Sequence, residues 1–132
     1  MTTDEVKRAF GEYLSIKARV RSAAEILAEL RVDMSNASAG GIPNSAADSF
    51  IPRIDRYTRV VEDGNAKLEY IESLLELTRD SVGKMIMEQR FFKGISFDTL
   101  PDEVPELSYL SRSTIFYHYR NALREIAEKA KS

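Results

Sequence analysis

An apolar stripe runs through the first quarter of the chain: Val6, Ala9, Tyr13, Ile16, Val20, Ala23, Leu27, Leu30 and Met34. Its steps alternate between three and four residues, the spacing that keeps side chains on one side of an α-helix. Lys7, Arg8, Glu12, Lys17, Arg19, Arg21, Glu25, Glu29 and Arg31 fill the positions between. No proline interrupts the run, and its single glycine, Gly11, lies off the stripe. The pattern therefore predicts one long amphipathic helix with a narrow seam.

A second stripe follows: Phe50, Ile54, Tyr57, Val61, Gly64, Leu68, Ile71, Leu75 and Thr78. Pro52 falls where the first turn of a helix tolerates it, with Asp48 or Ser49 as the expected cap. Gly64 costs about 1 kcal/mol relative to Ala inside a helix, so a close helix crossing or a local bend is expected there. Between the stripes, Ser35 to Ala47 is a run of small residues with Gly40-Gly41 and Pro43, which predicts a loop over about 35–49. A loop of that length lets the second helix return antiparallel to the first. Matching the ends pairs Met34 with Phe50, Leu27 with Tyr57, Val20 with Gly64 and Tyr13 with Ile71. The expected hairpin is about 40 Å long at 1.5 Å per residue. A hairpin this narrow buries little, so the C-terminal residues or a second copy are expected to complete it, the latter as a homodimer through the N-terminal helices.

From about Ser81 the pattern changes. Val82, Met85, Ile86, Gln89 and Phe92 predict a short helix ending at Gly94, which suits a helix C-terminal cap. Ser96 is the expected cap of the next segment, with Phe97, Leu100, Val104, Leu107 and Leu110 turned inward. Pro101 and Pro105 forbid a single helix across it, leaving a short helix, a break and a loop. Ser111 is then a good N-cap for a last helix to about Lys129, with Ile115, Tyr119, Ala122, Leu123 and Ile126 as its core face. Arg112, Ser113, Phe116, Tyr117, Arg120 and Asn121 are left facing outward, with Arg124 farther along.

This order of elements reads as a helix-turn-helix, in which the last helix is presented to the major groove of DNA. Arg bidentate to guanine and Asn to adenine are the usual pairings. Arg112, Ser113, Tyr117, Arg120 and Asn121 are the expected base readers, and Thr114, Lys93 and Arg124 the expected phosphate contacts. Phe116 and Tyr117 either pack inward or stand exposed to meet thymine methyls or a protein partner, and the sequence leaves both open. The net charge of -2 conceals an uneven distribution. Residues 1–78 carry 10 Lys/Arg against 13 Asp/Glu, residues 79–132 carry 9 against 8, and Ser111 to Arg124 has three Arg, one His and no acid. Attraction to phosphate acts over about 8 Å at physiological salt, so the local balance counts for more than the total.

The same residues carry a resemblance. The stretch RFFKGISFDTL and the later LSRSTIFYHYRNAL resemble the promoter-reading fourth region of bacterial sigma factors over about residues 82–126. The chain as a whole, with its Gly40-Gly41-Ile42-Pro43-Asn44-Ser45 linker, resembles small phage and prophage proteins of Gram-positive bacteria. ArpU-like and RinA-like regulators of phage late genes look like relatives. The resemblance implies a transcription regulator acting on double-stranded promoter DNA, with host RNA polymerase as a further partner. From Gly94 to Ser111 the chain is several residues longer than that pattern, and Phe116, Tyr117 and His118 stand where sigma factors often place Lys or Arg.

Other functions find less support. Cys is absent, which excludes disulfides and Cys-based zinc sites and favours an intracellular, cytoplasmic address; that the cell is a bacterial host is what the resemblance implies. No apolar run approaches the ~18 residues of a membrane span, and the acidic start lacks the basic end of a signal peptide. His118, the only His, has no evident metal partners. The acidic groups Asp102, Glu103 and Glu106, and Glu69, Glu72 and Glu76, suit solvated surfaces. Gly40-Gly41 lacks the Lys-Ser/Thr of a phosphate-binding loop. Neither metal nor cofactor is expected, and the chain is not expected to be an enzyme. The expectation is an all-α protein, with a long antiparallel helical hairpin over 1–78 and a sigma-like helix-turn-helix over 79–132. It is read as a sequence-specific DNA-binding regulator, the alternative being an adaptor that binds RNA polymerase or another phage protein without touching DNA.

Overall fold

The computed structural model describes residues 1–40 and 48–130, and every regular element among them is helical. In chain order these are α1 (Thr3–Gly11), α2 (Tyr13–Ala39), α3 (Ile51–Leu75) and α4 (Ser81–Met87), which runs on as a π-helical turn (Glu88–Phe92). Then come α5 (Leu100–Glu103), a 3-10 turn (Pro105–Leu107) and α6 (Arg112–Lys129). The chain divides into two compact units: Ser15–Leu68, and Met1–Leu14 together with Glu69–Ser132. This division differs from the boundary expected at 78/79, because α1 packs against α6 and the π turn.

The first stripe is helical but not unbroken. α1 stops at Gly11, where the Glu12 amide turns back to the Ala9 carbonyl, and α2 restarts at Tyr13. Phe10 instead of Ala9 takes the buried position between Val6 and Tyr13, since a step of four followed by three fits the larger ring inside. The acidic start is a capping box. Thr2 Oγ1 accepts from the Glu5 amide (3.1 Å), and Glu5 Oε1 accepts from the Thr2 amide (3.0 Å).

Within the Ser15–Leu68 unit, Ile16, Ala23, Leu27 and Leu30 are buried as the stripe requires. A Cβ placed on Gly64 would lie 2.2 Å from Val20 Cγ2, so the missing side chain is what lets α3 approach α2 at the pair that end-matching gave. The expected loop begins too early. α2 continues through Ser35 to Ala39, because Ala37 extends the stripe by one more step and is buried, and Ala and Ser are tolerated in helices. Most of the Gly-Pro stretch, residues 41–47, lies outside the described residues.

The other unit is built around aromatic rings. Tyr13 stacks on Phe92 (4.0 Å between centroids), Phe92 on Phe10 (5.9 Å), and Phe10 meets Phe91 (5.7 Å). Phe91 lies beside Tyr119 (6.2 Å), Tyr119 against Phe97 (4.8 Å), and Phe97 against Phe116 (5.0 Å). The Arg90 guanidinium lies over both Phe91 and Phe97, at 5.4 and 5.6 Å. Each such ring contact contributes about 0.5–1.5 kcal/mol beyond the area it buries. The π turn lets consecutive Phe91 and Phe92 both reach Phe10, and Gly94 (φ 78°) ends it in the left-handed region, as expected of a C-cap.

After Gly94 the two prolines act as expected. α5 is a single turn, the 3-10 turn follows, and Leu100, Val104 and Leu107 are buried. Ser96 takes part through its carbonyl, which accepts from the Thr99 and Leu100 amides, instead of capping with its side chain. The expected core face of α6 is buried at all five positions, Ile115, Tyr119, Ala122, Leu123 and Ile126. α4 crosses α6 closely at Gly83, where a Cβ would lie 2.7 Å from the His118 carbonyl and 2.8 Å from Ala122 Cβ.

Two measurements test this packing. Gly83→Ala is expected to lower stability by about 1–3 kcal/mol, because backbone and a buried methyl cannot move aside. Gly11→Ala, whose Cβ would meet nothing within 4 Å, is expected to raise it by about 0.4–1 kcal/mol. Urea titration of the two variants checks both signs. Separately, the Tyr13 hydroxyl donates to Glu72 Oε1 (2.6 Å), one residue beyond the expected partner Ile71. Burial, and then this carboxylate, pushes the phenol up to about 12 from its ordinary 10. A raised folded-state pKa stabilises fully below pH 10 and is lost as pH climbs through 12. Thermal melts of Tyr13→Phe should lack that alkaline loss, while its neutral-pH stability falls by about 1 kcal/mol.

Candidate nucleic-acid interface

Ser111 opens α6 as the sequence predicts: its Oγ accepts from the Thr114 amide (3.2 Å) and lies 2.8 Å from Thr114 Oγ1 and 3.2 Å from Ser113 Oγ. Thr114 is thereby part of the cap and half-buried. With the core face of α6 turned inward, its other face stands clear. Arg112, Ser113, Tyr117, Arg120 and Arg124 are exposed, Tyr117 at 57%. Lys93, just after the π turn, is exposed as well.

Phe116 and Tyr117, left open by the sequence, separate. Phe116 is half-buried against Phe97, whereas Tyr117 points outward with only its edge toward His118 (5.4 Å). Ser111, Arg112, Ser113, Phe116 and Arg120 surround a shallow hollow of about 650 Å³. Arg112 is held at its rim by an ion pair with Asp98. Both side chains are 69% exposed, and pairs in that setting contribute little and exchange readily.

Asn121 is placed differently. It is half-buried and lies close enough to Asp80 to help lower that carboxyl. Asp80 is the N-cap of α4: one carboxylate oxygen accepts from the Gly83 amide (2.9 Å) and the other lies 2.8 Å from His118 Nδ1. Burial works to raise the Asp80 carboxyl, but the Gly83 amide, His118 and Asn121 together outweigh it and hold it below the usual carboxylate range. The sole histidine is thus joined to a helix cap. A second hollow, of about 440 Å³, is lined by Arg79, Asp80, Asn121, Arg124, Glu125 and Glu128. There Glu125 accepts from the Arg79 amide and pairs with Lys129 (3.1 Å), fastening the α3–α4 turn to α6. A third hollow, of about 300 Å³, places Lys7 and Thr3 of α1 beside Arg120, Leu123 and Arg124.

The sequence reading gave no role at this surface to Lys7, Arg79 or Asp98. Nothing local marks them, because each reaches α6 only through tertiary packing. Among the described residues no cluster of three or more His, Asp or Glu gathers as a metal site, and no helix is long and apolar enough to cross a membrane. In comparisons with known proteins, no family model, no curated protein and no solved structure matches the chain.

The Arg79 amide first, then Thr78 and Lys129, lower the Glu125 carboxyl to about 2 from its ordinary 4.5. A depressed folded-state pKa stabilises above pH 4.5 and is lost as pH falls toward 2. Melting temperatures followed from about pH 5 to about pH 2 should therefore fall more steeply for the natural protein than for Glu125→Gln.

Proposed function

We propose that this protein binds double-stranded DNA through the outward face of α6 and regulates transcription. In this reading α2 and α3 form an antiparallel helical hairpin, and residues 79–132 act as a sigma-like helix-turn-helix with α6 as the groove-entering helix. The observation that carries it is the division of α6 into two faces. One is wholly core, while the other presents Arg112, Ser113, Tyr117 and Arg120 to solvent near the N-terminal end. Arg112 and Arg120 read base edges, Tyr117 meets an apolar base surface, and Lys93 and Arg124 hold phosphates. Asn121, half-buried beside Asp80, lies at the edge of the exposed face and contributes less to base reading than the arginines. The promoter setting, a phage or prophage origin, and host RNA polymerase as partner come from the sequence resemblance to sigma region four and to phage late-gene regulators.

A second reading rests on specific observations: Tyr109 is 75% exposed and Tyr117 57%, and Arg112 already has Asp98 as a partner. An adaptor would use those aromatic surfaces to hold RNA polymerase or another phage protein with no DNA contact. Fluorescence anisotropy with random and selected duplexes separates the two. The regulator loses affinity steeply between about 50 and about 200 mM salt, while an adaptor hardly binds at either. Replacing Arg112 and Arg120 together by Ala should abolish preference for selected sequences, at unchanged helicity by circular dichroism. Undiminished preference in that variant would remove the site assignment.

A further inference from the structure

The hollow shared by α1 and α6 extends the proposed interface. Lys7 comes from the first helix and Arg120 and Arg124 from the last, so residues more than a hundred positions apart converge on one surface depression. Thr3 and Leu123 complete its lining, and no carboxylate does. Among the described residues none of the three cations takes part in an ion pair. Glu5 is engaged in the cap of α1 and Glu125 with Arg79 and Lys129, while Asp80, Glu125 and Glu128 share the separate 440 Å³ hollow with Arg124. Three like charges thus meet in a hollow that no carboxylate lines, and an anion entering between them is attracted by all three. Arg120 also lines the hollow at the start of α6, so the two depressions meet at one side chain.

From this convergence we infer that Lys7 and Arg124 hold a backbone phosphate of the same duplex whose base edges the neighbouring Arg120 reads, with Lys7 as a sequence-independent contact from α1. The inference rests on the DNA-binding reading and gives α1 a part in it. A contact of this kind positions the protein on the duplex and carries no sequence information.

The test compares Lys7→Gln, Lys7→Arg and Lys17→Gln in the full chain, with anisotropy on a selected and a random duplex over a salt series. Lys17 is exposed on α2 and serves as a control for the same loss of charge. Each phosphate contact contributes about 0.9 to the slope of log affinity against log salt. Lys7→Gln should reduce that slope by about 0.9 on both duplexes, leaving affinity about three- to fourfold less sensitive to a change from about 50 to about 200 mM. Lys7→Arg should restore the slope, and Lys17→Gln should leave it unchanged. A slope unaltered in Lys7→Gln, or altered equally by Lys17→Gln, overturns the assignment while leaving the α6 reading intact. Absence of salt-sensitive binding in the natural protein overturns both. Melting temperatures of the variants confirm that each is folded.

Discussion

Stacking of aromatic rings from four separate stretches of chain holds the C-terminal unit in one piece. Phe10 and Tyr13 come from the N-terminal helices, Phe91 and Phe92 from the π turn, Phe97 from the segment before α5, and Phe116 and Tyr119 from α6. α1, the π turn and the segment around Phe97 are each too short to be stable alone, since isolated helices below about 12–15 residues are marginal in water. Their order comes from burying rings against one another. The single-turn α5 is anchored by buried Leu100, and the seven-residue α4 by Gly83, Ile86 and Met87 where it packs on α6.

That arrangement determines what α6 offers to solvent. With Ile115, Tyr119, Ala122, Leu123 and Ile126 inward, helical geometry sends Ser113, Tyr117, Arg120 and Arg124 outward. Two polar attachments fix the rotation. Asp80 joins His118, and Glu125 joins the Arg79 amide, on flanks of the helix between core and exposed face. The outward residues thus project from a rigid element supported on both sides, and precise placement of recognition side chains requires that kind of support. The basic patch is small and acids lie close to it, so the placement of its side chains matters more than their net charge.

What the sequence revealed was whatever local spacing controls. The two stripes, the cap at Ser111, the five-residue core face of α6, the left-handed Gly94 and the Val20–Gly64 approach all follow from periodicity, or from one residue's conformational limits. Local spacing failed where packing chose between near-equal options. Ala9 and Phe10 fit the first stripe almost equally well, and only burial of the larger ring decides between them. Ser35 to Ala39 has loop-like composition but continues a helix because Ala37 has somewhere to be buried. At the candidate interface, the exposed face of α6 could be read from the chain. The neighbours that modulate it could not: Asp98 on Arg112, Asp80 on Asn121, and Lys7 beside Arg120 are tertiary facts.

The wide turn at Glu88–Phe92 carries a consequence for how this chain tolerates changes in length. A π turn holds one residue more than the α turn it interrupts, so deleting a single residue there would leave a continuous, hydrogen-bonded helix. Successive side chains on that helix would diverge by about 100°, and two neighbouring phenylalanines would no longer converge on one ring. The extra residue is a spacer that trades helical regularity for a doubled grip on Phe10, and a shortened chain would keep its secondary structure while losing one of the two rings that clasp its first helix.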